Sequence, residues 1–178
     1  MTSRVSRFPV SAFCILVMAI AAGILLPLPH ATADEPREGP SGLPVPRFVS
    51  LKSGEVNLRE GPSDSHRILW IYKRRNLPVE ITAEFDVWRR VRDHEGVVGW
   101  VNKALLDGER YVIINAGANV ALLERADAGA AVEAWLEPGV LARLESCHGI
   151  WCELEIQGIT GFVPRAELWG IYPGEEID

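Results

Sequence analysis

EGVVGWVNKALL, Glu95 to Leu106, comes back about 62 residues later as QGITGFVPRAEL, Gln157 to Leu168. Both segments set a glycine early, then alternate apolar residues, then pass through a Gly-aromatic-Val triplet. The triplet is Gly99-Trp100-Val101 in the first and Gly161-Phe162-Val163 in the second. Alternation with period two, rich in Val, Ile and aromatics, marks a strand rather than a helix. Gly96 and Gly158 fall where a hairpin with a three-to-five-residue loop would turn. Gly99 and Gly161 precede an aromatic residue, where a small barrel must bend or let two backbones approach.

The match extends upstream. RNLPVEITAEFDVWRRV (Arg75 to Val91) lies against PGVLARLESCHGIWCEL (Pro138 to Leu154), which sets Trp88 on Trp151. EVNLREGPSD (Glu55 to Asp64) lies against NVALLERADA (Asn119 to Ala128). A unit of about 63 residues therefore occurs twice. Asn76 stands where the second copy has Gly139, which fits a turn position in the left-handed conformation. In VNLREGPSDS, Gly61-Pro62 ends a strand in a turn, glycine tolerating positive φ and proline fixing its own. GAAVEAWLE, near Ala134, reads equally as a short helix or a strand. The expectation is an all-β fold of two small barrels, each near the lower size limit for independent stability.

The N-terminus is of another kind. Arg4 and Arg7, with no acid nearby, precede an apolar run from Phe8 to Leu28, and Ala31-Thr32-Ala33 follows. That is the layout of a secretory signal peptide, residues 1–33, cut between Ala33 and Asp34, which would discard Cys14 as well. The alternative is an uncleaved anchor, since the run nears the ~18 residues that span a bilayer; Pro27, Pro29 and the A-x-A site argue for cleavage. Residues 34–47, rich in Pro and Gly, read as an extended, mobile linker. The two repeats then take residues 48–108 and 109–174.

Charge and cysteines follow from export. The chain has 18 Lys+Arg against 24 Asp+Glu; without the leader's two arginines, 16 stand against 24, a net of −8. So acidic a protein lacks the basic footprint of a nucleic-acid binder, and after cleavage no membrane association is expected. Cys147 and Cys152 remain, an even pair in an oxidising compartment, and read as a disulfide. The four-residue gap does not fit a redox C-x-x-C motif, and zinc would need His148 and a fourth ligand that nothing nearby supplies.

With those residues in view, the chain resembles the bacterial SH3-like (SH3b) domain family, in the exported tandem form of Gram-negative bacteria. The first copy has the N-x-R-x-G-P turn in Asn57, Arg59, Gly61 and Pro62, the W-x-x-V strand in Trp88 and Val91, and G-x-x-G-W-V in Gly96, Gly99, Trp100 and Val101. The second keeps Trp151, Gly158, Gly161, Phe162, Val163 and Leu168, with the paired cysteines often flanking that tryptophan. It departs from the pattern at Leu123, in place of the arginine, and at Arg125-Ala126, in place of Gly-Pro. The resemblance implies a periplasmic location and a groove that takes short peptides, of the cell wall or of an envelope protein.

Nothing points to catalysis: no H-E-x-x-H, G-x-S-x-G or P-loop is present, and no cofactor or metal is expected. An enzyme would need a pocket gathering His66 or His94 with carboxylates. Six tryptophans are more than two small cores can bury, which leaves indole surface for a partner. The ligand-binding candidates are Arg59, which could clamp a carboxylate bidentately, and Trp70, Tyr72 and Trp88, which could stack on an extended ligand. Each has a structural alternative: Arg59 holds the turn, and the rings fill the core. Residues 48–108 balance 10 basic against 9 acidic residues, whereas 109–178 hold 4 against 12. The first repeat is thus suited to an acidic surface, whether cell-wall carboxylates or the second repeat itself. A peptidoglycan peptide or an envelope protein is the expected partner; a structural or regulatory subunit, its two barrels forming one rigid body, is the other reading.

Overall fold

The computed structural model describes residues 36–178; the predicted leader and cleavage site lie outside them. A short hairpin, β1 (Arg37–Glu38) with β2 (Pro44–Val45), comes first. Seven strands follow: β3 (Arg47–Leu51), β4 (Val56–Arg59), β5 (Ile68–Tyr72), β6 (Pro78–Phe85), β7 (Trp88–Arg92), β8 (Val98–Asn102) and β9 (Leu106–Asp107). They pair in the order β5-β4-β8-β7-β6-β3-β9, all antiparallel.

The second repeat runs through β10 (Tyr111–Ile114), β11 (Val120–Leu123), β12 (Val132–Leu136), β13 (Leu141–His148), β14 (Trp151–Ile156), β15 (Ile159–Pro164) and β16 (Leu168–Trp169). Its order, β12-β11-β15-β14-β13-β10-β16, maps strand for strand onto the first. The duplication read in the sequence is therefore a duplication of topology, and the ambiguous stretch around Ala134 is the edge strand β12. A glycine is obligatory at the same place in each sheet. A Cβ on Gly99 would meet Leu58 Cγ at 2.5 Å and the Arg59 carbonyl at 2.8 Å; on Gly161 it would meet Leu122 Cγ at 2.7 Å and the Leu123 carbonyl at 2.8 Å. Here β8 and β15 press against β4 and β11 with no room for a side chain. Asn76 (φ 64°) and Gly139 (φ 82°) hold equivalent left-handed turns.

Each sheet encloses its own core. Leu51, Leu58, Val79, Val91 and Val101 fill the first; Val112, Leu122, Leu144, Leu154 and Val163 fill the second. Cys147 and Cys152 face each other across β13 and β14, are fully buried and form the expected disulfide.

The two cores meet. Ile113 of β10 belongs to the first core, with Leu141 and Trp169 packed against it. Phe48 stands edge-on to Trp169, ring centres 5.0 Å apart, and lies 4.7 Å from Tyr172. Arg74 donates to the Gly139 carbonyl at 2.9 Å, and Tyr172 Oη to Glu80 Oε1 at 2.9 Å. The repeats therefore share a buried junction.

Two expectations need correction. Residues 36–46 are not an extended, mobile linker. The hairpin is fastened to Glu84 of β6, whose side chain is only 1% exposed: Ser41 N and Oγ donate to its oxygens at 2.9 and 2.8 Å, Arg47 Nη2 at 2.8 Å, and Arg89 Nε lies 3.1 Å away. Burial pushes the Glu84 carboxyl up, but the hydrogen bonds from Arg47 and Ser41 and the charge of Arg89 outweigh it and hold it below the usual carboxylate range. Val45 is buried with it. Gly61, in turn, is required for space and not for positive φ: a Cβ there would collide with the His66 ring.

Candidate functional site

The turn after β4 is closed by its own groups. Glu60 N donates to the Arg67 carbonyl at 3.0 Å and His66 N to the Ser63 carbonyl at 3.2 Å. Arg59 Nη1 donates to the His66 carbonyl at 2.9 Å, and Nη2 lies 3.6 Å from Asp64 Oδ1. Arg59 thus ties the turn down, while Asp64 is almost wholly exposed and screened by water.

Beyond the turn the chain runs into β5, an edge strand. Ile68, Leu69, Trp70 and Ile71 are all exposed, Trp70 by 54%. Register explains the tryptophan. Trp70 opposes Leu58 and Tyr72 opposes Val56, so both rings lie on the core-facing side of the sheet. Tyr72 reaches the core; Trp70 stands where the sheet ends and overhangs it. A bulge between Leu58 and Arg59 then bends the strand away.

Tyr72 and Trp88 are buried. Tyr72 Oη donates to Asp93 Oδ2 at 2.8 Å; burial first, then that bond and the charges of Asp93 and Glu95, raise its phenol pKa. Asp93 is itself buried and accepts Glu95 N at 3.0 Å and Val97 N at 2.8 Å, which closes the β7–β8 hairpin. Neither ring presents a free face to a ligand, so of the four candidates only Arg59 and Trp70 reach the surface.

Cross-strand pairing adds a residue that the sequence reading left out. Trp100, half-buried, opposes Arg59 on one side and Arg90 on the other, in one row across β4, β8 and β7. In the second sheet the same row reads Leu123, Phe162, Glu153. The aromatic has an arginine on each side of it in the ladder of one repeat, and a leucine and a glutamate in the other. The row was legible only as the Arg59/Leu123 exchange; Arg90 and Glu153 become neighbours of that site through strand register.

The model of the bacterial SH3 domain matches residues 52–108 and 116–170. The chain belongs to the bacterial SH3 domain family. The matched stretches take in every strand of each sheet except its first, β3 or β10, so the family fold occurs twice in tandem. Bacterial SH3 domains are non-catalytic modules, and none of the polar clusters described above is arranged as a catalytic site. Among the described residues no group of three or more His, Cys, Asp or Glu could hold a metal ion, and no helix is long and apolar enough to cross a membrane. No curated protein matches the chain. Among solved structures, NlpC2 and NlpC1 from Trichomonas vaginalis align at 12% identity with TM-scores of 0.34 and 0.33. Each alignment covers 75% of this chain and 51% or 48% of the other, so the chain spans about half the length of those proteins.

Proposed function

We propose that this protein is an exported, periplasmic binding module whose first SH3 repeat takes an extended peptide, of the cell wall or of an envelope protein, along β5. One observation carries the reading: β5 is an open sheet edge with four consecutive exposed apolar residues, Ile68 to Ile71, and no charge among them. Natural edge strands are ordinarily blunted by charge or proline; an unblunted one suits a partner strand that pairs with its backbone and rests side chains on it. Trp70 supplies the stacking surface and Arg59 the neighbouring cation. The equivalent edge β12 also exposes Val132 and Trp135, but it carries Glu133 between them, and its neighbour β11 has Leu123 in place of Arg59, which favours the first repeat. Export rests on the leader-like N-terminus.

The shared junction favours a second reading, a structural or regulatory subunit that uses both repeats as one body. Retention on purified peptidoglycan sacculi separates the two. Capture of the wild type, lost in folded Arg59→Ala and Trp70→Ala variants, supports wall recognition at β5. Absence of capture would discard the wall peptide and direct the search to protein partners. Equal capture of all three would discard β5. Mass spectrometry of the secreted form tests the cut after Ala33.

A further inference from the structure

A groove of about 1730 Å³ crosses the outer face of the first sheet. Phe48, Glu80 and Arg92 form a cross-strand row on its floor, with their in-strand neighbours Val79, Ile81 and Val91 turned into the core. The β1–β2 hairpin and the segment from Tyr172 to Glu175 complete the lining. Seven Lys or Arg residues line it against three Asp or Glu, in a chain whose net charge is −6. A concave surface with such an excess of one sign concentrates field and draws opposite charge.

Most of these cations are already matched. Arg47 and Arg89 share Glu84, Arg92 Nε donates to Glu80 Oε2 at 2.8 Å, and Arg110 holds Glu175. Two are not. Arg90 has only the Thr82 hydroxyl, at 3.5 Å, and Lys103 is exposed; among the described residues neither has a carboxylate partner. Both line the groove.

One end of the groove shows what it accepts. The chain's own acidic segment lies there, with Glu175 gripped by Arg110 through Nη1–Oε1 at 2.7 Å and Nη2–Oε2 at 3.3 Å. Arg165 adds bonds to the carbonyls of Tyr172 and Glu175. A two-point guanidinium–carboxylate contact is both strong and geometrically selective. The remaining length is open, and the groove exceeds the roughly 300–1,000 Å³ of small-molecule sites, so its shape suits a polymer rather than a lone carboxylate.

We infer that this groove binds an acidic, extended segment of a partner protein, with its carboxylates on Arg90 and Lys103. Arg90 stands on β7, with β4 and β8 between it and β5, and the inference does not depend on the reading proposed for that edge. The test is fluorescence anisotropy of the full protein with a labelled peptide of alternating Glu and Gly, beside its Gln-Gly counterpart. Binding of the Glu peptide alone, weakening about tenfold or more as salt is raised from about 50 to about 300 mM, is expected from screened charge pairing. An Arg90→Glu/Lys103→Glu variant with wild-type circular dichroism should lose that binding by about tenfold or more. No binding of the Glu peptide, or equal binding by the folded double variant, overturns the inference. Loss in Trp70→Ala with retention in the double variant also overturns it, and assigns the peptide to β5. Capture on sacculi that depends on Arg90 and Lys103, without peptide binding, gives the groove to the cell wall instead. Self-association abolished by the double variant gives it to a second copy of this chain.

Discussion

Tyr172 and Glu80, 92 positions apart in the chain, meet at 2.9 Å across the junction between the two repeats. Glu80 is buried and already accepts a bond from Arg92 Nε, so the phenol satisfies its second oxygen. Burial and then the charge and hydrogen bond of Glu80 raise the Tyr172 phenol above its ordinary value, though nearby Arg110 pulls the other way.

Tyr172→Phe removes one hydrogen bond to a charged group, a loss of about 2 kcal/mol, or about 6 °C in Tm for a unit of this size. A double-mutant cycle with Glu80→Gln should show coupling, measured by thermal denaturation. Independent effects of the two changes would mean that the bond contributes nothing to holding the repeats together. The pH dependence has a definite sign. The folded phenol titrates above the unfolded one, so its contribution is complete below about pH 10 and is lost as pH rises further. Alkali should therefore weaken the wild type more than Tyr172→Phe.

Glu84 governs the hairpin, and acid should release it. Its folded carboxyl titrates below the unfolded value, so its contribution is present above about pH 4.3 and disappears as pH falls through the lower folded value. Once acid protonates Glu84 in the folded protein, the amides of Gly39 and Ser41 should exchange with solvent well before the sheets do. Glu84→Ala leaves Arg47 and Arg89 without their shared carboxylate, a cost of about 3 kcal/mol, and should free the hairpin at neutral pH. Trypsin would then cut at Arg37 and Arg47 in the variant while sparing the wild type.

Gly99→Ala and Gly161→Ala form a matched pair. In both a methyl group would strike a leucine and a backbone carbonyl of the neighbouring strand. Each should cost about 2–3 kcal/mol, read by urea denaturation. Gly54→Ala, where nothing lies within 4 Å, should stay within about 0.5 kcal/mol. Equal tolerance at all three positions would show that the close approach of β8 to β4 relaxes freely.

The sequence carried what is local and repeated. Alternation gave the strands, the two copies of Gly-aromatic-Val gave the duplication, and Asn76 opposite Gly139 gave a shared turn. Long-range contacts left no pattern of that kind. Ser41 reaches Glu84 across 43 positions, so a proline-rich stretch that looks like a tether is folded. No motif marks the acidic residues at 175–178, yet Ile177 pairs with Cys147 and Glu175 is bound by Arg110. At the candidate site Trp70 and Tyr72, two positions apart, share one face of the strand by simple alternation. It could not say that the core ends between them, because only the position of β5 at the sheet edge decides that.

The disulfide should matter to the second repeat alone. A closed ring of six residues removes little freedom from the unfolded chain, about 2 kcal/mol by loop-closure entropy. Both sulfurs are buried, and the bond joins facing residues at the far end of β13 and β14, beside the bridge to Ile177. Native protein should therefore resist mild reductant until it opens, and reduction should track unfolding of the second sheet. Once reduced, exchange protection should fall first at Cys147 and Ile177, whose backbones bond to each other, and only later at β7 and β8 of the first repeat. Loss of protection in both sheets at once would mean that the junction couples them into a single cooperative unit, and Tyr172→Phe should then uncouple the two.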